Sequence, residues 1–221
     1  MAQNNMYSEE IRELRTAAGF VSDVFGEDYD NISDYLVNLA GQETLYGTLK
    51  SQTYDDGTPV SITAYQIDPV RYKDMIARSE KGAALDRVNL INATFEGLGY
   101  EDFDIRGIAN VIEHTYQDPE SGEDRTILKY SDIDRKLIND PYVSTVLARH
   151  IIASDPKSVP GDLEGQAGYW KENWNTNSGR GQEVEFIDKF RTYREKTDVE
   201  DSVMDMLRDQ DDDPFAIRAE E

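Results

Sequence analysis

The chain has 221 residues, with 23 Lys and Arg against 45 Asp and Glu, for a formal net charge of −22. Its 38% hydrophobic and 10% aromatic content suffices for one core of ordinary size and argues against a disordered polymer. So acidic a surface repels nucleic-acid phosphates and bare anionic membranes, and the absence of cysteine excludes disulfide scaffolds, cysteine-ligated zinc and thiol catalysis.

No apolar run is long enough to span a bilayer. The N-terminal MAQNNMYSEE lacks the basic and apolar regions of a secretory signal, so export by a signal peptide is not expected.

Helical patterns dominate. Ile11, Leu14, Ala18, Val21 and Phe25 recur at three- and four-residue spacing, which predicts a helix capped at Ser8 and stopped at Gly26. A second helix is expected from Tyr29 to Tyr46, with Ile32, Tyr35, Leu36, Leu39 and Ala40 on one face and Gly47 ending it. Residues 48–63 alternate and carry Asp55-Asp56-Gly57 and Pro59, which reads as an irregular loop or short hairpin turning at Asp56-Gly57. Asp68-Pro69 and Asp140-Pro141 each combine a good N-cap with a proline suited to the first helical position. Asp118-Pro119 and Asp155-Pro156 read as turns. One helix is expected within 83–103.

Val111–Gln117 and Arg125–Tyr130 flank the turn-rich DPESGED and read as a hairpin. Two final helices are expected at 162–174 and 182–194, separated by a glycine-rich turn. From Thr197 onward the chain is strongly acidic, with Val199, Val203, Met206 and Leu207 on one helical face that either packs back on the domain or docks on a partner with Phe215 and Ile217 as anchors.

His114 and His150 are the only histidines, and no metalloprotease, P-loop, calcium-loop or nucleophile-elbow motif occurs. His150 sits in the apolar LARHIIA and reads as a core or flanking histidine. Carboxylate chemistry is the natural catalytic option. Glu43 follows Leu36, Leu39 and Ala40 on the same helical face, so it is expected on or beside the buried side. Apolar surroundings disfavour the ionised carboxyl and raise its pKa, as a general acid requires. Tyr169, Trp170, Trp174 and Asn175 combine aromatic faces with amide donors, the chemistry that recognises carbohydrates; the two tryptophans serve a core equally well.

These residues resemble two related patterns. The pair Glu43-Thr44, then Thr63-Ala64-Tyr65-Gln66-Ile67-Asp68-Pro69, then Asn173-Trp174-Asn175, follows the order seen in lytic transglycosylases of the goose-type lysozyme-like superfamily. The run Tyr169-Trp170-Lys171, Trp174-Asn175-Thr176, Gly179-Arg180-Gly181 and Phe186-Ile187, preceded by Leu147-Ala148-Arg149, is similar to a group of tailed-phage virion proteins. The resemblance covers roughly residues 30–192. The chain departs from the family at Thr63, where the family has glycine, and at Trp174, where it has tyrosine.

The resemblance implies a mainly α, lysozyme-like domain over 1–195, with a small hairpin or irregular loop, an insertion at about 80–135, and an acidic tail at 196–221. It implies a virion-associated lytic transglycosylase or muramidase. Such an enzyme cleaves the N-acetylmuramic acid–N-acetylglucosamine β-1,4 bond of peptidoglycan and aids genome delivery. Glu43 would be the general acid/base. Thr44, Tyr65, Gln66, Tyr169, Trp174 and Asn175 would brace the acid or bind substrate, and no metal or other cofactor would be needed. Expected partners are glycan strands and other virion proteins of the tail or internal core, reached in part through the C-terminal tail. The protein would be made in the host cytoplasm and delivered in the virion. The alternative is a catalytically inactive, lysozyme-like structural component of the tail or core.

Overall fold

The computed structural model describes residues 2–25, 29–44, 53–54, 57–119, 121–155, 157–175 and 181–192. Side chains of residues 2–8 and of 29–30 are outside that description. The expectations for Gly26, Tyr46, Gly47, Asp55, Asp56, Thr176, Gly179, Arg180 and the acidic tail therefore fall outside the described residues.

The fold is mainly helical with one small two-stranded antiparallel sheet. Helix α1 spans Ala2–Phe25 and α2 spans Tyr29–Thr44. The first helix begins before Ser8, which lies within it rather than capping it. Its stripe Ile11, Leu14, Ala18 and Val21 is buried as the spacing requires. Helix α1 packs along both α2 and a later helix, α6 (Pro141–Ile152). Nine of the twelve residues of α6 are buried, which makes it the central element of the core.

The two Asp-Pro starts form as read. Asp68 accepts from the Arg71 amide at 2.8 Å to open α3 (Pro69–Arg78). Asp140 accepts from the Tyr142 and Val143 amides at 2.9 and 3.2 Å to open α6. Helix α4 runs Gly82–Gly97, shorter than the 83–103 window, because Leu98 closes it and Gly99 adopts φ +91°.

Strands β1 (Ala109–Gln117) and β2 (Asp124–Ile133) form the expected hairpin, with an irregularity between Asn110 and Val111. Its base is anchored: the Tyr130 hydroxyl donates to the Ile67 carbonyl at 3.0 Å, and the Ala109 amide donates to the Tyr72 hydroxyl at 3.2 Å. Its far half stands in solvent. Around Gly57, which has φ +81°, the chain reverses, and Thr53 bridges Pro59. A short helix α5 (Arg135–Ile138) leads into α6.

Helix α7 (Leu163–Tyr169) continues directly into a π-helical turn, Trp170–Trp174. The Asn175 amide reaches the Trp170 carbonyl, five residues back, at 2.8 Å. A further helix, α8, covers 183–192. No described helix is long and apolar enough to cross a membrane.

Candidate active site

Glu43 lies at the last turn of α2, beyond the fully buried Leu36, Leu39 and Ala40. It is half-buried. Its Oε1 accepts from the Trp170 indole N–H at 2.8 Å. Burial raises the carboxyl's pKa, and this outweighs the Trp170 hydrogen bond and the charges of Arg71 and Lys189, which pull it down. The result is a sheltered carboxyl that holds its proton more readily than a surface glutamate. Lys189, on α8, also donates to the Gln42 carbonyl at 2.9 Å, so α8 is latched to the end of α2 beside the acid.

The indole on Glu43 is itself fixed. The Trp170 ring lies against Phe186 with centroids 5.5 Å apart. Gly181 passes so close that a Cβ there would stand 2.6 Å from Trp170 Cη2. The Gly181 carbonyl accepts from Lys171 Nζ at 2.8 Å and from Asn175 Nδ2 at 3.2 Å. The π-helical turn lets both tryptophans point inward: Trp170 reaches α2, while the Trp174 indole donates to the Tyr65 carbonyl at 3.2 Å.

The turn Thr63–Gln66 forms the next wall. Ile62 and Ile67 pair through two backbone hydrogen bonds of 2.9 Å each, and the loop between them has Thr63 at φ 67° and Gln66 at φ 51°. Thr63 thus occupies, without a glycine, a left-handed backbone position that favours one. The Thr44 hydroxyl lies 2.7 Å from the Ala64 carbonyl and 3.2 Å from that of Ala40, so it ties the turn to the end of α2. Arg71 stacks over the Trp174 ring at 4.4 Å and donates to the Trp174 carbonyl.

The predicted residues divide accordingly. Glu43, Thr44, Trp174 and the backbone of the Tyr65 turn are knit into one assembly. The Tyr65 ring is wholly buried, with its hydroxyl 3.0 Å from that of Thr145. Tyr169 is buried and meets Tyr35 edge-on at 5.4 Å. Gln66 accepts from Ser61 through its Oε1, and the Asn175 amide is engaged with Gly181. Both amides are half-buried, and the Asn175 amide sits beside the Gly181 backbone that packs against the Trp170 ring.

Sequence reasoning did not find Trp170, Arg71 or Lys189 as neighbours of Glu43. Trp170 had a signal, its spacing of four from Trp174, but that spacing is shared with core residues. His114 is exposed on β1, and His150 is in the core. Among the described residues no group of three or more His, Asp or Glu stands together as metal ligands. Comparison with protein-family models, with curated proteins and with solved structures finds no match to this chain.

Proposed function

We propose that the protein is a virion-associated peptidoglycan-cleaving enzyme of the lysozyme-like type, with Glu43 as its general acid. The observation that carries this reading is the Glu43 carboxyl: sheltered at a helix end, raised in pKa, and held in one orientation by a buried indole. A protonated Glu43 would give its proton to the bridging glycosidic oxygen as the bond to the departing sugar breaks. The transition state is oxocarbenium-like. In the transglycosylase form the substrate's own 6-hydroxyl attacks, and the Glu43 carboxylate takes up its proton, so no second carboxylate is required. Thr44 holds the turn that carries Gln66, whose half-buried amide remains near enough to the surface to meet a sugar substituent. A net charge of −22 disfavours binding to anionic walls, and tethering in a virion would offset this through effective concentration.

A second reading is a lysozyme-like structural part of a phage tail or core with no catalysis. The burial of Tyr65, Tyr169 and Trp174 favours it, because their faces pack on protein rather than stand open to a sugar. The deciding experiment incubates the purified chain with purified cell walls. A fall in turbidity with release of anhydro or reducing muropeptides supports the enzyme, and intact walls support the structural part.

A further inference from the structure

A cavity of about 650 Å³ opens between the C-terminal ends of α1 and α6, the first turn of α2 and the middle of α4. Its size is ordinary for a small-molecule site. None of Glu43, Trp170, Arg71 or Lys189 lines it, so it is separate from the surroundings of the acid.

Its charge is opposite in sign to that of the chain. Arg87, Arg149 and Lys157 line it, in a protein with 45 acidic against 23 basic residues. Among the described residues the lining holds one carboxylate, Asp155. That group is already engaged by the Lys157 amide at 2.9 Å and by the Tyr169 hydroxyl. Arg149 is buried, with its guanidinium over the Phe25 ring at 4.9 Å. Arg87 is half-buried and reaches from α4 to the Ala153 carbonyl at 3.4 Å, so its guanidinium stands at the α6 wall. Lys157 pairs with Glu172 at 2.8 Å, but both side chains are exposed, and an ion pair in water is weak enough for another anion to compete. The arginine charges are felt beyond the cavity: after burial, they are the next causes of the low pKa of His150.

The apolar part of the lining is a second, independent feature. Leu90 lies one turn from Arg87 and is 50% exposed, and it shares the cavity with Ile91, Ile152 and Val159. A bare inorganic anion would leave these walls wet, and an uncharged hydrocarbon would leave the guanidinium groups unmatched.

We propose that this cavity is a binding site for a small amphiphilic carboxylate. The carboxylate accepts from the Arg87 guanidinium and from Lys157, with the charge of Arg149 behind them, and the aliphatic stem lies along Leu90, Ile91 and Ile152. Charge selects the head, and the apolar walls select the stem. The proposal is independent of the Glu43 reading, since none of the residues around that acid takes part.

The test is titration of the full chain with hexanoate, followed by the methyl resonances of Leu90, Ile91 and Ile152, at pH 7 and about 0.15 M ionic strength, where binding to scattered surface cations is screened. Neutral 1-hexanol and stemless acetate are titrated alongside. The expected result is saturable movement of these methyls with hexanoate, at an affinity at least tenfold tighter than for either control. Arg87→Gln is expected to weaken hexanoate at least fivefold and to leave 1-hexanol unchanged, while Arg87→Lys, which keeps the charge, retains most of the affinity. Equal binding of hexanoate and 1-hexanol overturns the proposal, as does acetate binding as tightly as hexanoate. Unchanged hexanoate affinity in a folded Arg87→Gln protein overturns it too. Should Arg87→Gln fail to fold, the comparison of the three probes on the unmodified chain still decides.

Discussion

His150 makes the fold acid-sensitive in a defined window. It lies in the last turn of α6, fully buried, with Nε2 2.8 Å from the Ser79 hydroxyl oxygen. Ser79 donates its own proton to the Met75 carbonyl at 2.7 Å, so the Ser79 oxygen accepts and His150 Nε2 carries the hydrogen. Nδ1 is then bare, and it has no partner. Burial, followed by the charges of Arg87 on α4 and Arg149 on α6, lowers the pKa from 6.5 to about 4. The unfolded chain therefore takes up this proton first as pH falls. Stability is full above pH 6.5 and declines as the pH drops toward 4. At roughly 1.4 kcal/mol per pH unit, the contribution lost is about 3 kcal/mol. That is a large part of the ~5–15 kcal/mol typical of a domain.

The assay is urea unfolding followed by the fluorescence of the buried Trp170 and Trp174, at intervals from pH 7 to pH 4. Carboxylates titrate in the same range, so the comparison is made with His150→Gln, which keeps a donor for Ser79 but cannot be protonated. The variant is expected to be less stable at pH 7, with the gap closing by about 3 kcal/mol at pH 4. A gap that stays constant across this range refutes the assignment of a buried neutral imidazole.

Three further outcomes follow from the geometry. Trp170→Phe removes the donor that favours ionised Glu43, so the carboxyl's pKa rises further and the alkaline limb of any wall-clearing profile moves to higher pH; an unmoved limb contradicts the Trp170 bond. Gly181→Ala places a Cβ into the Trp170 ring, so it is expected to cost about 1–3 kcal/mol, shift tryptophan emission and lower activity. Wild-type emission and stability in that variant would remove the close approach from the account. Asp140→Ala takes away both cap bonds of α6 and the acceptor of the Tyr100 hydroxyl at 2.7 Å, and is expected to cost about 1–2 kcal/mol in urea unfolding.

What the sequence made legible was local. Asp68-Pro69 and Asp140-Pro141 announced helix starts because the cap and the proline act within a single turn. The hairpin at 109–133 was legible because alternation and the turn signals at DPESGED agree. Glu43 was placed beside the apolar face of α2 by period alone. Ser8 misled as a cap because Glu9 and Glu10 mimic a first turn, whereas the helix begins six residues earlier. The π-helical turn was not legible, since the four-residue spacing of Trp170 and Trp174 fits an ordinary α-helical face equally well. The meeting of Trp170 with Glu43 depends on that turn and on the passage of Gly181, contacts that join distant parts of the chain. Tyr65 and Trp174 carried the aromatic signal of a sugar site, yet the same signal serves a core, and packing claims both.

Wall cleavage by this chain would turn on the one proton carried by Glu43. The measurement is wall-turbidity loss by the unmodified chain and by Glu43→Gln side by side, with matched circular dichroism and urea midpoints. The unmodified chain is expected to clear the walls and Glu43→Gln to leave them intact, with both equally folded. Clearing that persists undiminished in a folded Glu43→Gln protein would take the acid out of the mechanism and contradict the account.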